Sequence, residues 1–272
     1  MATEIIDDDE ELKDGLDLLH SGIVMARHEK LSESPPPDKC RTLDYGTGTG
    51  IWAIQIAEKI TPGKGEVLGF AVEKLQPDLA ILPTKITNVS FRHGDLETLW
   101  RPEDQFGFVH TRVLPNDARD WLEFYRTAHK HLKEGGTFEM EALSLELLSD
   151  VEVPYSSRNL LLDHLNRVTI NGDKKHLDFG NTKQLLDFEK TKQLLNHAGF
   201  RHIKEIIIPL PINPWDDPQD EKNYHRKSLG KRFNVILDFL LGIGQFARQD
   251  LGPSPQDLEE IYRLSNRAYC RL

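Results

Sequence analysis

The chain has 272 residues and a formal net charge of −10 at pH 7, because 44 Asp and Glu residues outnumber 34 Lys and Arg residues. This length suits one large α/β domain, or a smaller domain of roughly 200 residues with helical extensions, and the acidic balance argues against a protein that grips nucleic acid mainly through its phosphates. The two cysteines, Cys40 and Cys270, exclude a disulfide framework and a multi-cysteine zinc site and favour a reducing compartment.

No apolar run reaches the ~18 residues that a membrane-spanning helix requires. The longest apolar stretch, Phe233–Phe246, is interrupted by Asp238 and is typical of a core helix. The start of the chain, Met1–Glu11, is acidic and therefore unlike a signal or transit peptide. We expect a soluble intracellular protein with no nucleic-acid or membrane partner, located in the cytoplasm, with the nucleus as the alternative.

The first predicted element is an amphipathic helix. Acidic residues 7–11 stand at its start, where the positive end of the helix dipole favours negative charge. Leu12, Leu16, Leu19 and Ile23 follow at the spacing of one helix face. Prolines 35–37 then break the helix, so we assign residues 1–37 to an N-terminal helical segment with a proline linker.

From residue 41 the pattern changes to short strands that alternate with helices. Helices are predicted over Ile51–Ile60 and Ala118–Leu132, and a turn over Lys133–Gly136. Such alternation indicates an α/β domain, with a mostly parallel sheet covered by helices on both faces, over residues 38–145. The five predicted strands are Arg41–Asp44, Glu66–Val72, Val89–Arg92, Phe106–Thr111 and Thr137–Leu143.

The last predicted unit covers residues 146–272. Glu146–Asn196 is predicted to be mostly helical, and an isoleucine-rich sixth strand follows over Arg201–Leu210. Two helices are expected to close the chain, the second beginning at Ser254-Pro255, which is a good cap followed by proline in the first turn. No strand-like run is recognised after Leu210.

The most informative motif is a glycine loop between the first strand and its helix. Asp44, Gly46, Gly48 and Gly50 form the pattern D-x-G-x-G-x-G. Glycines let the backbone turn sharply and approach a ligand, and the following helix offers free N–H groups and a positive dipole end. The alternative is a glycine-rich strand–helix turn that binds nothing.

The motif and several longer stretches carry a resemblance to a known family. The segment LDYGTGTGIWAI (43–54) resembles the S-adenosylmethionine (SAM) loop of class I methyltransferases, and in particular the fungal LaeA-like methyltransferases of secondary metabolism. The segments FGFVHTR, RDWLEFYRTAHKHLKEGG and PLPINPWDDP are similar to the same family. The resemblance implies a Rossmann-like sheet, SAM as the cofactor and an N-terminal helix that acts as a lid.

The resemblance also assigns roles around the SAM site. Asp44, Gly46, Gly48 and Gly50 would form the loop on the methionine side, with hydroxyl contacts from Thr47 and Thr49. Asp95 would meet the adenine amino group, with Leu96 beside the ring. Asp95 could instead be an ordinary loop-end aspartate.

A His-x-Arg pair at the end of the fourth strand would lie next to the transferred methyl group. In this chain the pair is His110 and Arg112. For His110 the alternative is a core histidine with its hydrogen bonds satisfied, and for Arg112 a structural ion pair.

Two departures from the family pattern put activity in question. The acid that accepts hydrogen bonds from both ribose hydroxyls is replaced by Ala71, and Glu73 is the candidate substitute. The family's final antiparallel strand also has no counterpart in the predicted elements. Either the sheet has six strands, or a homodimer or hetero-complex covers its edge.

Methyl transfer needs a base only if the acceptor must lose a proton. The candidate bases are His110, His20 and Glu141. No metal is expected, because no His and Asp cluster has ligand spacing. We expect a methyltransferase acting on a small natural product. The alternatives are a methyltransferase-fold protein that assists or catalyses another step, such as a cyclisation, and a LaeA-like regulator that acts through protein partners.

Overall fold

The computed structural model describes nine segments of the chain: residues 8–60, 63–72, 74–81, 86–95, 98–113, 120–142, 144–149, 188–211 and 268–271. Glu73, Leu96 and the helices predicted between Pro211 and Ala268 lie outside these segments. Within them, no helix is both long and apolar enough to cross a lipid bilayer.

The helices and strands follow one another largely as the alternating pattern predicts. The helices are α1 (Asp8–Ala26), α2 (Ile51–Lys59), α3 (Trp121–His131) and α4 (Phe188–Ala198), with one 3₁₀ turn at Leu79–Ile81. The strands are β1 (Arg41–Tyr45), β2 (Glu66–Ala71), β3 (Val89–His93), β4 (Phe106–Val113), β5 (Leu132–Ala142), β6 (Ser144–Ser149), β7 (Pro209–Pro211) and β8 (Ala268–Arg271).

The first five strands form a parallel sheet in the order β3-β2-β1-β4-β5. The chain leaves β1 in one direction toward β2 and later returns on the other side of β1 to form β4. The carboxyl ends of β1 and β4 therefore meet at the point where strand order reverses, which is where open α/β sheets bind ligands. The glycine loop lies at this point.

Each face of the sheet buries its own apolar cluster. On one face, Trp52 and Ile56 of α2 pack with Val67 and Phe108. On the other, Phe124 and Tyr125 of α3, together with α4, pack with β-strand residues. The prediction of a doubly covered parallel sheet is therefore confirmed.

The expectation that no strand follows Leu210 is wrong. Ala268–Arg271 forms β8, which pairs antiparallel with both β6 and β7 in a second sheet of order β6-β8-β7. One residue separates β5 from β6. Because β8 covers an edge of β6, an uncovered edge no longer supplies a reason to expect a homodimer or hetero-complex. Four residues carry too short a pattern to reveal a strand, and pairing with distant segments decides their conformation.

Three further segments differ from their predictions. Glu146–Ser149 belongs to β6 rather than to a helix, and the sixth strand shortens from Arg201–Leu210 to Pro209–Pro211. The predicted turn at Lys133–Gly136 lies inside β5, where the register with β4 shifts and Gly135 has a positive φ of 74°. The local turn signal there marks an irregularity within a strand rather than its beginning.

Candidate functional site at the carboxyl ends of β1 and β4

The glycine loop adopts a conformation that most other residues would resist. Gly46, Gly48 and Gly50 have φ values of 77°, 56° and 81°, in the left-handed region that L side chains avoid. A Cβ at Gly46 would have no heavy atom within 4 Å, whereas a Cβ at Gly50 would lie 2.6 Å from Cζ of Phe91. Gly50 thus allows the loop to pack on β3, while Gly46 leaves open space beside the backbone.

The loop is held firmly from the sheet side. The backbone N–H groups of Gly46 and Thr47 donate to the carbonyl oxygen of Phe70 at 3.0 and 2.8 Å. The Thr47 hydroxyl donates to Asp44 Oδ2 at 2.6 Å. Helix α2 starts directly after the loop, and its N-cap residue, Gly50, provides no side-chain hydrogen bond to the first turn. Its first N–H groups and its positive dipole end therefore face the loop region.

Beneath the loop, Asp44, His110 and Glu141 form a buried charged row across β1, β4 and β5. Nδ1 of His110 lies 2.7 Å from Asp44 Oδ1, and its Nε2 lies 3.6 Å from Glu141 Oε2, which is beyond hydrogen-bond length. The His110 ring is 1% exposed and stacks on the Trp52 indole, with ring centroids 3.9 Å apart. His110 is thus a buried group between two carboxylates.

The pKa values follow from this arrangement. Burial alone would lower the pKa of His110, but the hydrogen bond with Asp44 and the nearby Glu141 carboxylate outweigh it and raise the pKa to about 9. Burial would raise the pKa of Glu141, but the charge of Arg112, with His110 and Arg27, holds it well below the usual range. Near neutral pH the row therefore holds a protonated imidazolium and an ionised Glu141.

His20 brings helix α1 to the same place. Its Nε2 lies 3.0 Å from Gln55 Oε1, and its Nδ1 lies 3.4 Å from both terminal nitrogens of Arg112. Because the Gln55 carbonyl oxygen can only accept, Nε2 carries the proton in this arrangement. Burial and the charge of Arg112 lower the pKa of His20 to about 4, so the imidazole is neutral at pH 7. Arg112 also donates to Glu141 Oε2, from Nε at 2.8 Å.

Helix α1 packs against the glycine loop. Thr49 donates its hydroxyl to Asp17 Oδ1 at 2.5 Å, and Leu16 Cδ1 lies 3.6 Å from the position of a Cβ on Gly48. Just beyond the end of α1, Arg27 donates to Glu139 Oε1 at 2.7 Å and also to Glu141. The helix is therefore tied to the site from its middle and from the residue that follows its C-terminal end.

The structure brings most of the predicted site residues together. Asp44, Thr47, His110, Arg112, Glu141 and His20 belong to one connected network. Asp95 stands apart, exposed in the segment after β3, where its carbonyl oxygen accepts from Thr98. The candidate cofactor contacts Glu73 and Leu96 lie outside the described segments. No group of three or more His, Cys, Asp or Glu side chains within these segments is arranged to hold a metal ion.

Sequence reasoning missed four polar residues of this region: Arg27, Gln55, Gln76 and His93. Arg27 reaches partners 112 and 114 positions away, so no local pattern reports it. His93 could have been noted because it ends the strand beside β2, at the edge where Ala71 replaces the expected acid.

Comparison with known proteins agrees with the fold. A family model described as a methyltransferase domain matches residues 20–205. The secondary metabolism regulator LAE1 of Cochliobolus heterostrophus is 32% identical over 242 residues, covering 84% of this chain and 71% of that protein. The protein-methionine methyltransferase laeA of Emericella nidulans is 30% identical over 235 residues, covering 84% of this chain and 57% of that protein.

The chain thus spans little more than half the length of several curated relatives. Among solved structures, the [4+2]-cyclase SpnF is similar with a TM-score of 0.50 and 14% identity, covering 92% of this chain and 78% of that one, a likeness that concerns the fold alone. The matched domain and relatives, with the sheet order and glycine loop, show that this chain belongs to the LaeA-like class I methyltransferases.

Proposed function

We propose that this protein binds SAM at its glycine loop and transfers the methyl group to a small natural product of secondary metabolism. The observation that carries the proposal is the open, positive-φ loop at the carboxyl end of β1, next to the uncapped start of α2 and under α1. These features suit a ligand that approaches the backbone closely and carries a carboxylate. Ala71 is the exception, since it offers no acceptor for ribose hydroxyls.

When bound, SAM would supply an electrophilic methyl group on a sulfonium. The chain's own residues would position the acceptor and exclude water. Gly46, Gly48 and Gly50 would hold the cofactor's methionine side, the Asp44–His110 pair would keep the loop in place from below, and α1 would close over it. Asp95 is proposed to meet the adenine amino group.

The protonation states argue for transfer without a general base. His110 is protonated near neutral pH, Glu141 is ion-paired with Arg112 and Arg27, and both nitrogens of His20 have partners. An efficient general base needs a pKa near the working pH and reach to the proton it removes. These residues support acceptors that react without losing a proton first, such as a thioether or a neutral amine.

A second candidate, a regulator that methylates or binds a protein partner, is favoured by the relatives. They are named secondary metabolism regulators, and the Emericella protein is named a protein-methionine methyltransferase. A methionine thioether needs no base, which agrees with the hydrogen-bonded and ion-paired side chains of this site.

The third candidate is a protein with this fold that does not transfer methyl groups and assists another step, such as a cyclisation; it is favoured by Ala71. We propose a cytoplasmic location, with the nucleus as the alternative that the regulator would require.

The test measures both SAM binding and the formation of S-adenosylhomocysteine, the product of methyl transfer. The full chain is first titrated with SAM to measure binding. It is then incubated with SAM and one of two acceptor panels, and the S-adenosylhomocysteine formed is quantified. One panel contains small thioethers, amines and phenols, and the other contains methionine-containing peptides. Formation of S-adenosylhomocysteine with the small-molecule panel and not with the peptides supports the proposal. Formation of S-adenosylhomocysteine with the peptides alone favours a protein acceptor. SAM binding without formation of S-adenosylhomocysteine favours a protein that does not transfer methyl groups.

A matched variant tests the base-free mechanism. His20→Asn removes a titratable group but keeps an amide that can hydrogen-bond. We expect turnover within about threefold of the wild type, because general base catalysis is typically worth 10²-fold or more. A loss of about 100-fold with unchanged SAM affinity would instead identify His20 as the base.

A further inference from the structure

The carboxyl ends of β2 and β3 hold an unusual pair of side chains beside the glycine loop. Ala71 ends β2 and is 3% exposed, and its methyl group cannot accept a hydrogen bond. His93 is the register partner of Ala71 on β3. Side chains of paired residues on neighbouring parallel strands leave the sheet on the same face. The imidazole therefore stands next to the position where a ribose-binding acid is missing.

Gln76 connects this histidine to the glycine loop. Its side-chain Nε2 donates to the carbonyl oxygen of Gly48, and its Oε1 lies 2.5 Å from His93 Nε2. Its Cγ also lies 3.2 Å from the position of a Cβ on Gly50. The amide is thus fitted into the loop and holds the ring of His93 in a defined orientation.

The orientation fixes which ring nitrogen can accept a hydrogen bond. Because the carbonyl oxygen of Gln76 only accepts, Nε2 of His93 carries the proton and donates to it. In the neutral ring, Nδ1 is then a hydrogen-bond acceptor. The His93 side chain is exposed, and its Nδ1 has no hydrogen-bond donor among the described residues.

We propose that His93, oriented by Gln76, recognises a ribose hydroxyl of the bound adenine nucleoside in place of the acid that Ala71 lacks. The inference rests on the proposed function, because it concerns the same SAM site. A ribose hydroxyl donates to acceptors, and Nδ1 of His93 offers one at the strand edge where the acid would stand. Gln76 is a positioning residue, since it acts through His93.

The experiment measures how much the ribose hydroxyls contribute to affinity. Calorimetric dissociation constants are compared for S-adenosylhomocysteine and its 2′,3′-dideoxy counterpart. One neutral hydrogen bond is worth roughly three- to tenfold in affinity, so the wild type should prefer the hydroxylated ligand by at least that factor. His93→Phe should bind the two ligands equally, and Gln76→Leu should show an intermediate preference.

Two controls separate the inference from its alternatives. His197→Phe removes an exposed histidine on α4 and should keep the wild-type preference. His93→Asn retains a side-chain acceptor and should restore part of the preference, which a purely structural role of His93 would not predict. Circular dichroism spectra that match the wild type establish that each variant is folded.

Each result supports or overturns the inference. A preference that survives in His93→Phe, or one that Glu73→Gln alone abolishes, overturns it and leaves the proposed function intact. A wild type that binds both ligands equally also overturns the inference only. A wild type that binds neither ligand at millimolar concentration overturns the proposed function and this inference with it.

Discussion

The Trp52 indole lies flat on the His110 imidazole, with ring centroids 3.9 Å apart and planes only 5° from parallel. Asp44 approaches the edge of the same imidazole at 2.7 Å. The electron-rich indole face and the carboxylate both favour a positive ring. His110 is therefore better understood as a buried cation that braces β1, β4 and α2 than as a base.

Removing this cation should take from the buried Asp44 carboxylate its charged partner and leave it the hydrogen bond from Thr47. His110→Phe keeps an aromatic ring against Trp52 but donates no hydrogen bond. We expect the free energy of unfolding, measured with urea at pH 7, to fall by about 3 to 5 kcal/mol. The matched control is His131→Phe, because His131 is also buried but, among the residues that the structure describes, hydrogen-bonds only the carbonyl oxygen of Thr127 in its own helix. That control should lose about 1 kcal/mol, and equal losses would contradict the role given to His110.

The same group should make stability depend on pH in a defined window. Its pKa is 6.5 when unfolded and about 9 in the folded chain. A pKa raised on folding contributes stability that is complete below pH 6.5 and is lost as the pH rises toward 9. At 1.36 kcal/mol for each pKa unit, the decline is about 3 kcal/mol. Urea unfolding of the wild type at pH 6, 7.5 and 9 should show this decline, and His110→Phe should not. Parallel curves for the two proteins would contradict it.

Arg27 should determine how stably α1 packs against the site. Its side chain is 6% exposed and joins the end of α1 to Glu139 and Glu141 on β5. Arg27→Met keeps the apolar stem but removes the charge, so amide hydrogen exchange in α1 should accelerate at least tenfold, as followed by mass spectrometry.

A surface ion pair on the same helix provides the comparison for Arg27. Lys13→Met removes an exposed pair with Glu10, and such pairs contribute at most about 1 kcal/mol. Exchange in this variant should stay within about fivefold of the wild type. If both substitutions accelerate exchange equally, Arg27 has no special part in closure.

Restoring an acid at the end of β2 should strengthen cofactor binding. Ala71→Asp would place a carboxylate beside His93, where two ribose hydroxyls could donate to it. We expect the affinity for SAM to rise about tenfold by calorimetry, because hydrogen bonds to charged groups contribute about 1.5 to 3 kcal/mol. Val72→Asp, one residue later and 62% exposed, should leave affinity unchanged. Unchanged affinity in a folded Ala71→Asp variant would mean that β2 is aligned incorrectly with the family pattern.

The sequence predicts the parts of this fold that local patterns determine. The glycine loop, the order of β1 to β4 and helix α2 each have a signal within a dozen residues. The doubly covered sheet follows from their alternation. The sequence does not predict strand β8, because its four residues become extended through pairing with β6 and β7 rather than through their own pattern.

The candidate site likewise contains some residues that the sequence identifies and others that it does not. The resemblance identified the loop glycines and the His110–Arg112 pair, but Arg27 and Gln76, which contact Glu141 and the loop, were missed. Arg27 meets Glu141 across 114 positions, and Gln76 meets the loop across 28. Nor does sequence show that His110 is charged, since that depends on burial between two carboxylates from other strands.

The most direct test of the account is whether the glycine loop binds SAM. Gly46 and Gly63 have φ values of 77° and 81°, and a Cβ at either would meet nothing within 4 Å. Alanine at either position therefore carries a similar backbone cost, about 1 to 2 kcal/mol, but only Gly46 lies at the proposed site. Calorimetry should give micromolar SAM affinity for the wild type and Gly63→Ala, and at least tenfold weaker binding for Gly46→Ala. No binding to the wild type at millimolar SAM, or equal affinities for the two variants, would contradict a cofactor site at this loop.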